Sequence, residues 1–270
     1  MKVRGFIRVL QALQPRLADV VLTGGWAWYV YRKYLTGEKS IPGEFTLDVD
    51  VVLPRRFRAT GPDLDDLLQE SDFELEMGGD ERPPVSRHSW PSAKDPEAIV
   101  EFLTPALGAG AEATLEVSGV VAQQLRFLDL LLDDPLVLRV HERAKRESFD
   151  GTVRVPRVGL FVLHKALTYR RRKLKEKRYK DLFYVFDLVD ESRNLGSSID
   201  ADLAFCLTKR GRSLLMRAAE FLEKDCGRPE DDAIGRVRDQ IPEERRPSRR
   251  YVSETLAGLA RGLKKASRTG

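Results

Sequence analysis

Asp48 and Asp50 stand two residues apart in the run Phe45-Thr46-Leu47-Asp48-Val49-Asp50-Val51-Val52-Leu53, which Pro54 ends. Alternation of this kind predicts a strand, whose period of two points both carboxylates to one face and Leu47, Val49 and Val51 to the other. Two adjacent like charges each disfavour the other's ionisation unless something cationic lies between them. A divalent metal is one answer, and an oxygen-only ligand set suits Mg²⁺ or Mn²⁺ better than zinc. An exposed edge strand with two solvated acids is the other, and the pair alone does not choose between them. Glu101 raises the same question as the one acid in Ala98-Ile99-Val100-Glu101-Phe102-Leu103. A carboxylate there needs a partner, a metal or a surface-facing position. Thr23-Gly24-Gly25 is the third place, where an apolar run turns into a helix. Its glycines let backbone approach a ligand, and the open N–H groups of a helix start favour an anion such as phosphate. A Gly-Gly pair alone is more often just a turn.

The elements that must position these residues are readable around them. Ala18–Thr23 predicts a short strand and Trp26–Leu35 a helix closed by Gly37. Leu64–Glu70 predicts a short acidic helix begun at Pro62 or Asp63. Asp72–Met77 and Ser86–Trp90 read as strands around a Pro-Pro turn, and Gln123–Leu132 reads as a helix. Leu136–Val140 and Thr152–Val155 are strand-like. From Pro156 onward strand signals vanish and helical periodicity dominates to about Asp190, then again at 201–208, 213–224 and 252–265. The expected architecture is therefore an α/β (α+β) domain with a mixed sheet over residues 1–155, followed by an all-helical domain over 156–270. The last part has a charged linker from Pro242 and a final basic helix.

Composition bounds the setting. Hydrophobic residues at 42% support a packed core despite a charged fraction of 33%. No apolar run approaches the ~18–20 residues of a membrane span. The opening MKVRGFIRVLQALQPRL reads as an amphipathic helix rather than a secretory signal, so the expectation is a cytoplasmic protein with no membrane partner. Two cysteines, Cys206 and Cys226, make neither a disulfide framework nor a zinc cluster. The formal charge of +4 conceals a division. Glu142 to Asp181 holds fourteen cations and five acids, +9 net, which leaves −5 for the rest of the chain. Such a run neutralises a polyphosphate, holds a nucleic acid or merely solvates a helix. Lys165, after Leu160-Phe161-Val162-Leu163, is set apart as a buried or cleft-facing cation. Tyr169, Tyr179, Phe183 and Tyr184 interleave with the basic residues at a spacing that fits a core stripe better than a stacking surface.

The order of these features resembles the nucleotidyltransferase superfamily that includes DNA polymerase beta, the aminoglycoside and lincosamide nucleotidyltransferases and the AbiEii-type toxins. Leu22-Thr23-Gly24-Gly25, Leu47-Asp48-Val49-Asp50-Val51 and Val100-Glu101-Phe102 stand for its three signature elements, and Thr46 fits the Thr two residues before the first acid. Beyond them, Glu101–Pro105, Leu125–Asp129, Val153–Pro156, His164-Lys165 and Lys180-Asp181-Leu182 look like AbiEii-type and related bacterial proteins, over roughly residues 18–190. Gly43-Glu44-Phe45 departs from the pattern, where relatives usually carry an Arg. The resemblance implies a nucleotidyltransferase fold and NTP as donor. It implies Mg²⁺ or Mn²⁺ on Asp48, Asp50 and Glu101, with two metals serving in-line displacement at the α-phosphate. It also places Thr23, Gly24, Gly25 and Lys165 on the nucleotide phosphates, and the basic helical stretch toward the nucleotide cleft. Asp181 and Arg170 are weaker site candidates, Asp181 as a pairing partner for a cation. The acceptor is left open among tRNA, another nucleic acid, a protein side chain and a small molecule, and an antitoxin partner is part of the implied setting. A non-catalytic nucleic-acid-binding module on the same scaffold is the alternative from another class.

Overall fold

A computed structural model describes residues 3–38, 46–57, 61–79, 83–91, 96–108, 113–191, 195 and 198–269. Gly43-Glu44-Phe45 and part of the loop after Leu107 lie outside the described residues. The chain divides into two compact units, Met1–Pro156 and Arg157–Gly270.

β-branched and aromatic runs build the first unit's sheet, in the order β1 (Val21–Leu22), β2 (Asp48–Val52), β5 (Ala98–Pro105), β4 (Val85–Trp90), β3 (Glu74–Gly78). β7 (Val120–Leu125) also pairs with β5, and β6 (Thr114–Val117) pairs with β7. β2 and β7 run parallel to β5, while β4 runs antiparallel to it, so the sheet is mixed. Val21, Val52, Leu103, Leu128 and Leu131 form a buried cluster against one end of it.

Helix α1 (Val3–Ala12) buries Phe6, Ile7, Val9 and Leu10, and its Phe6 meets α2 (Gly24–Val30), which continues as a π-helical turn at Tyr31–Leu35. Phe6 stacks on Trp26 at 4.1 Å between ring centroids, and Tyr29 meets both rings edge-on. This aromatic triplet anchors the helix that follows the Gly-Gly pair. Helix α3 (Leu64–Gln69) starts after Asp63 and buries Leu64, Leu67 and Leu68. Its Asp65 meets the fully buried His88 of β4 at 2.7 Å.

The Gln123–Leu132 helix is not formed. Residues 123–125 instead complete β7, which lies between β5 and β6, and a short 3-10 turn occupies Leu128–Leu132. Phe127, at φ 64°, separates the two. Sheet pairing on both edges outweighs the local helical spacing of Leu125, Leu128 and Leu132.

The basic run is not one helical face either. Its first four cations, Arg143, Lys145, Arg146 and Arg154, sit on a two-stranded hairpin, β8 (Leu136–Ala144) and β9 (Glu147–Val155). The remaining ten fall in the second unit.

That unit is helical: α4 (Val158–Thr168), α5 (Lys175–Asp190), α6 (Ser198–Arg210), α7 (Ser213–Cys226), α8 (Asp232–Asp239) and α9 (Arg249–Thr269). Every residue of α4 is buried. Gly159 lets α6 approach closely, since a Cβ there would lie 2.6 Å from the Asp202 Cβ. Asp202 in turn accepts the Gly159 N–H at 2.9 Å and pairs with Arg157 at 3.1 Å. Among the described residues no helix is long and apolar enough to cross a membrane.

One buried acid ties the hairpin to the π-helical turn. Glu142, 2% exposed, accepts Lys33 Nζ at 2.7 and 2.8 Å, the Tyr29 hydroxyl at 2.9 Å and the Tyr34 hydroxyl at 2.7 Å. Burial, and then the Glu142 charge, push both phenols far above their usual value near 10. A phenol raised in the folded state contributes its full stability below pH 10 and loses it as pH climbs past that point. Alkaline titration followed by tyrosinate absorbance is therefore expected to show Tyr29, Tyr34 and the likewise buried Tyr169 among the phenols that ionise only on unfolding, with stability falling above pH 10. Glu142→Ala is expected to cost about 2–4 kcal/mol in urea unfolding, because it strands three donors around one site.

Candidate active site

Parallel pairing of β2 with β5 assembles the acids. The register sets Asp48 opposite Ile99 and Asp50 opposite Glu101. Side chains alternate across a strand, so Asp48, Asp50 and Glu101 share one face of the sheet, and Val49, Val51, Val100 and Phe102 are buried on the other. Strands lie about 4.8 Å apart, which makes Asp50 and Glu101 neighbouring carboxylates.

Local contacts fix each acid. The Thr46 hydroxyl donates to Asp48 Oδ2 at 3.3 Å and accepts the Asp48 N–H at 3.2 Å, holding that carboxylate at the head of its strand. The antiparallel β1 brings the Thr23 N–H to the Asp50 carbonyl at 2.9 Å. The chain then turns through Gly24 at φ 64°. A Cβ on Gly24 would lie 1.9 Å from Asp50 Oδ2. The glycine is thus required both by its backbone angle and by the carboxylate pressed against it. Gly25 and Trp26 complete the first turn of α2, whose N–H groups have no acceptor within the helix. Thr23 is buried, and its side chain makes no capping bond.

Glu101 has a partner that sequence reasoning missed. Arg87 of β4 stands in register with it, and the two side chains form an ion pair. One row across four strands therefore reads Asp50, Glu101, Arg87, Glu76. Only cross-strand register reveals this pairing, since Arg87 lies in a weak strand signal with no motif around it.

The donor set of Asp48, Asp50 and Glu101 is oxygen-only. By its donor chemistry this set suits a hard divalent cation such as Mg²⁺ or Mn²⁺. Among the described residues no three His, Cys, Asp or Glu side chains stand together as a ready-made ligand group, and Glu101 is engaged by Arg87.

The other candidates belong to the second unit. Lys165 is 4% exposed, and its Nζ lies 2.6 Å from Asp181 Oδ1. Arg172 Nε reaches the other oxygen of Asp181, also at 2.6 Å. Burial raises the Asp181 carboxyl, but Lys165 and Arg172 outweigh it and hold the group below the ordinary carboxylate range. The cluster thus sets two cations on one buried acid. Beside it His164 is buried, and both ring nitrogens lack a hydrogen-bond partner among the described residues. Burial, then Lys165, lower its pKa to about 3, so it is neutral at pH 7. Arg170 grips Asp225 through two bonds, at 2.6 and 2.8 Å, and the Tyr169 hydroxyl joins the same carboxylate. Tyr169 is fully buried and Tyr184 nearly so, which places them in the core.

Gly37 separates the two demands made on Gly24. It too has a positive φ, 73°, but a Cβ there meets nothing within 4 Å. Gly37→Ala is expected to cost about 1–2 kcal/mol in urea unfolding, the penalty of a left-handed backbone angle. Gly24→Ala is expected to cost measurably more, because the methyl must also displace Asp50. Equal losses for the two variants would show that the carboxylate yields freely.

A profile of the nucleotidyltransferase family matches residues 2–198, nearly three quarters of the chain. No curated protein and no solved structure matches it. The matched span holds the mixed sheet, the Gly-Gly turn, the three acids of its open face and the Lys165–Asp181 pair, and the chain belongs to the nucleotidyltransferase family.

Proposed function

We propose that this protein moves a nucleoside monophosphate from an NTP to an acceptor hydroxyl in a reaction that depends on Mg²⁺ or Mn²⁺. The observation that carries the reading is the shared face of Asp48, Asp50 and Glu101, with the Gly24 backbone pressed against Asp50. Asp48 and Asp50 would hold the divalent cation, and Glu101 would join them. A cation bound there neutralises the triphosphate and stabilises charge developing on the attacking and leaving oxygens. In the reaction the acceptor oxygen bonds to the α-phosphorus and the bond to the β-phosphate oxygen breaks. Pyrophosphate would leave, and Glu101, where it does not join the metal, would act on the attacking hydroxyl directly or through water. Backbone N–H groups at the start of α2 face the chain's phosphate side in this scheme, where anions are favoured. Lys165 and Arg172 are cations whose chemistry suits a phosphate contact as well.

The hairpin favours a nucleic acid such as tRNA as acceptor. Each of its acids is already engaged: Glu142 by Lys33, Glu147 by Arg8 and Asp150 by Arg139. Arg143, Lys145 and Arg146 at its turn are exposed and have no ion-pair partner among the described residues. Three exposed cations without an acidic partner among the described residues suit a phosphate backbone. The order of motifs supports kinship with AbiEii-type toxins, and on that reading an antitoxin would be the protein partner. A non-catalytic nucleic-acid-binding module is the competing reading, favoured by the same hairpin.

Incubation with each α-labelled NTP, Mg²⁺ and total RNA is expected to label RNA. Asp48→Asn and Asp50→Asn are each expected to cut transfer by at least about a hundredfold, the scale of losing several kcal/mol of charge stabilisation. Undiminished transfer by those variants would overturn the assignment of the acids. Label on a protein and none on RNA would rule out the nucleic-acid acceptor. Strongly salt-dependent RNA binding without any transfer would favour the binding module.

A further inference from the structure

We infer that Arg87 is a nucleotide-binding residue of this site, which guards Glu101 until metal arrives and then contacts the triphosphate. The inference rests on the nucleotidyltransferase reading above and adds a residue that no sequence motif marks.

Three observations carry it. Arg87 stands in register with Glu101 and pairs with it, on the same open face as Asp48 and Asp50. Its direction is fixed by its neighbour. His88 is fully buried, lies 2.7 Å from Asp65 and meets the Phe102 ring edge-on at 5.9 Å between centroids. Alternation along β4 then forces Arg87 to the opposite face. Finally, Arg87 remains 47% exposed while Glu101 is 22% exposed, so the guanidinium keeps solvent access and room to turn.

Charge explains the arrangement. Asp50 and Glu101 are neighbouring carboxylates, and like charges so placed call for a cation. Arg87 supplies it within the protein itself. A divalent cation competing for Glu101 removes that need, because it neutralises the same oxygens at shorter range. The guanidinium then loses its partner beside the position where a triphosphate would lie. Its fork of N–H donors matches phosphate oxygens in two-point geometry, which an ammonium does not. Glu76 stands across β3 in the same row, exposed, as the one competing acid in register.

Metal and nucleotide should therefore respond to Arg87 in opposite directions. Mn²⁺ binding to the full chain, read from the loss of the free-ion EPR signal, is expected to tighten roughly three- to tenfold in Arg87→Gln, as a competing surface ion pair is removed. Binding of non-hydrolysable α,β-methylene NTP analogues with saturating Mg²⁺ is expected to weaken roughly ten- to a hundredfold in the same variant, the scale of a charge-assisted hydrogen bond. Arg87→Lys should keep wild-type Mn²⁺ affinity and recover only part of the nucleotide affinity. A merely structural role would weaken both ligands together. Unchanged Mn²⁺ affinity, or unchanged nucleotide affinity, in Arg87→Gln overturns the inference while leaving the nucleotidyltransferase reading intact. Wild-type protein that binds neither Mn²⁺ nor any of the four analogues overturns that reading, and the inference with it.

Discussion

Two carboxylates on neighbouring parallel strands, Asp50 and Glu101, set a constraint that much of the first unit answers. Their register follows from the pairing of β2 with β5, and their mutual repulsion must be offset by something positive. Arg87 offsets it from the adjacent strand. On the other side of Asp50, Gly24 brings backbone where any side chain would collide with the carboxylate. The turn at Gly24 in turn needs α2 held firmly, which the Phe6–Trp26–Tyr29 cluster does from α1. The far end of the same helical segment is pinned through Lys33 and Tyr34 to Glu142. Packing, strand register and buried charge thus bear on one small face of the sheet.

The second unit solves a related problem by another route. Two of its deeply buried charges, Lys165 and Asp181, neutralise each other between α4 and α5, and Arg172 adds a second donor from the intervening turn. A buried ion pair contributes little net stability, since desolvation consumes most of the Coulombic gain. What it confers is fixed geometry, with a cation held rigidly on an otherwise apolar helix. Asp181 is thus the pairing partner that the sequence suggested, but it joins two helices rather than bracing one. Arg170 is equally committed, to Asp225.

The legible part of this protein was what depends on neighbours in the chain. Strand alternation placed Asp48 and Asp50 on one face, and Ile99–Phe102 marked Glu101 as the odd residue in an apolar strand, all from spacing two residues apart. The helix after Gly24-Gly25, and most helices beyond Pro156, followed from apolar periodicity in the same way. What depends on distant partners was not legible. Arg87 gains its meaning only from pairing across β4 and β5. Residues 123–125 carry helix-like spacing, yet edges offered by β5 and β6 draw them into the sheet. The basic run was continuous in sequence, but the chain turns inside it, so part became a hairpin and part became paired side chains in a helical unit. Summed charge over a segment cannot distinguish an exposed cation such as Arg146 from an internally paired one such as Arg170.

Nucleotidyl transfer at the face of Asp48, Asp50 and Glu101 requires that this face hold metal. Anomalous diffraction from crystals grown with Mn²⁺ and a non-hydrolysable NTP analogue reads this directly. Manganese peaks are expected within ligand distance of Asp48 and Asp50, with the triphosphate beside Gly24 and Gly25. Manganese bound elsewhere, or a nucleotide seated away from that face, would contradict this assignment.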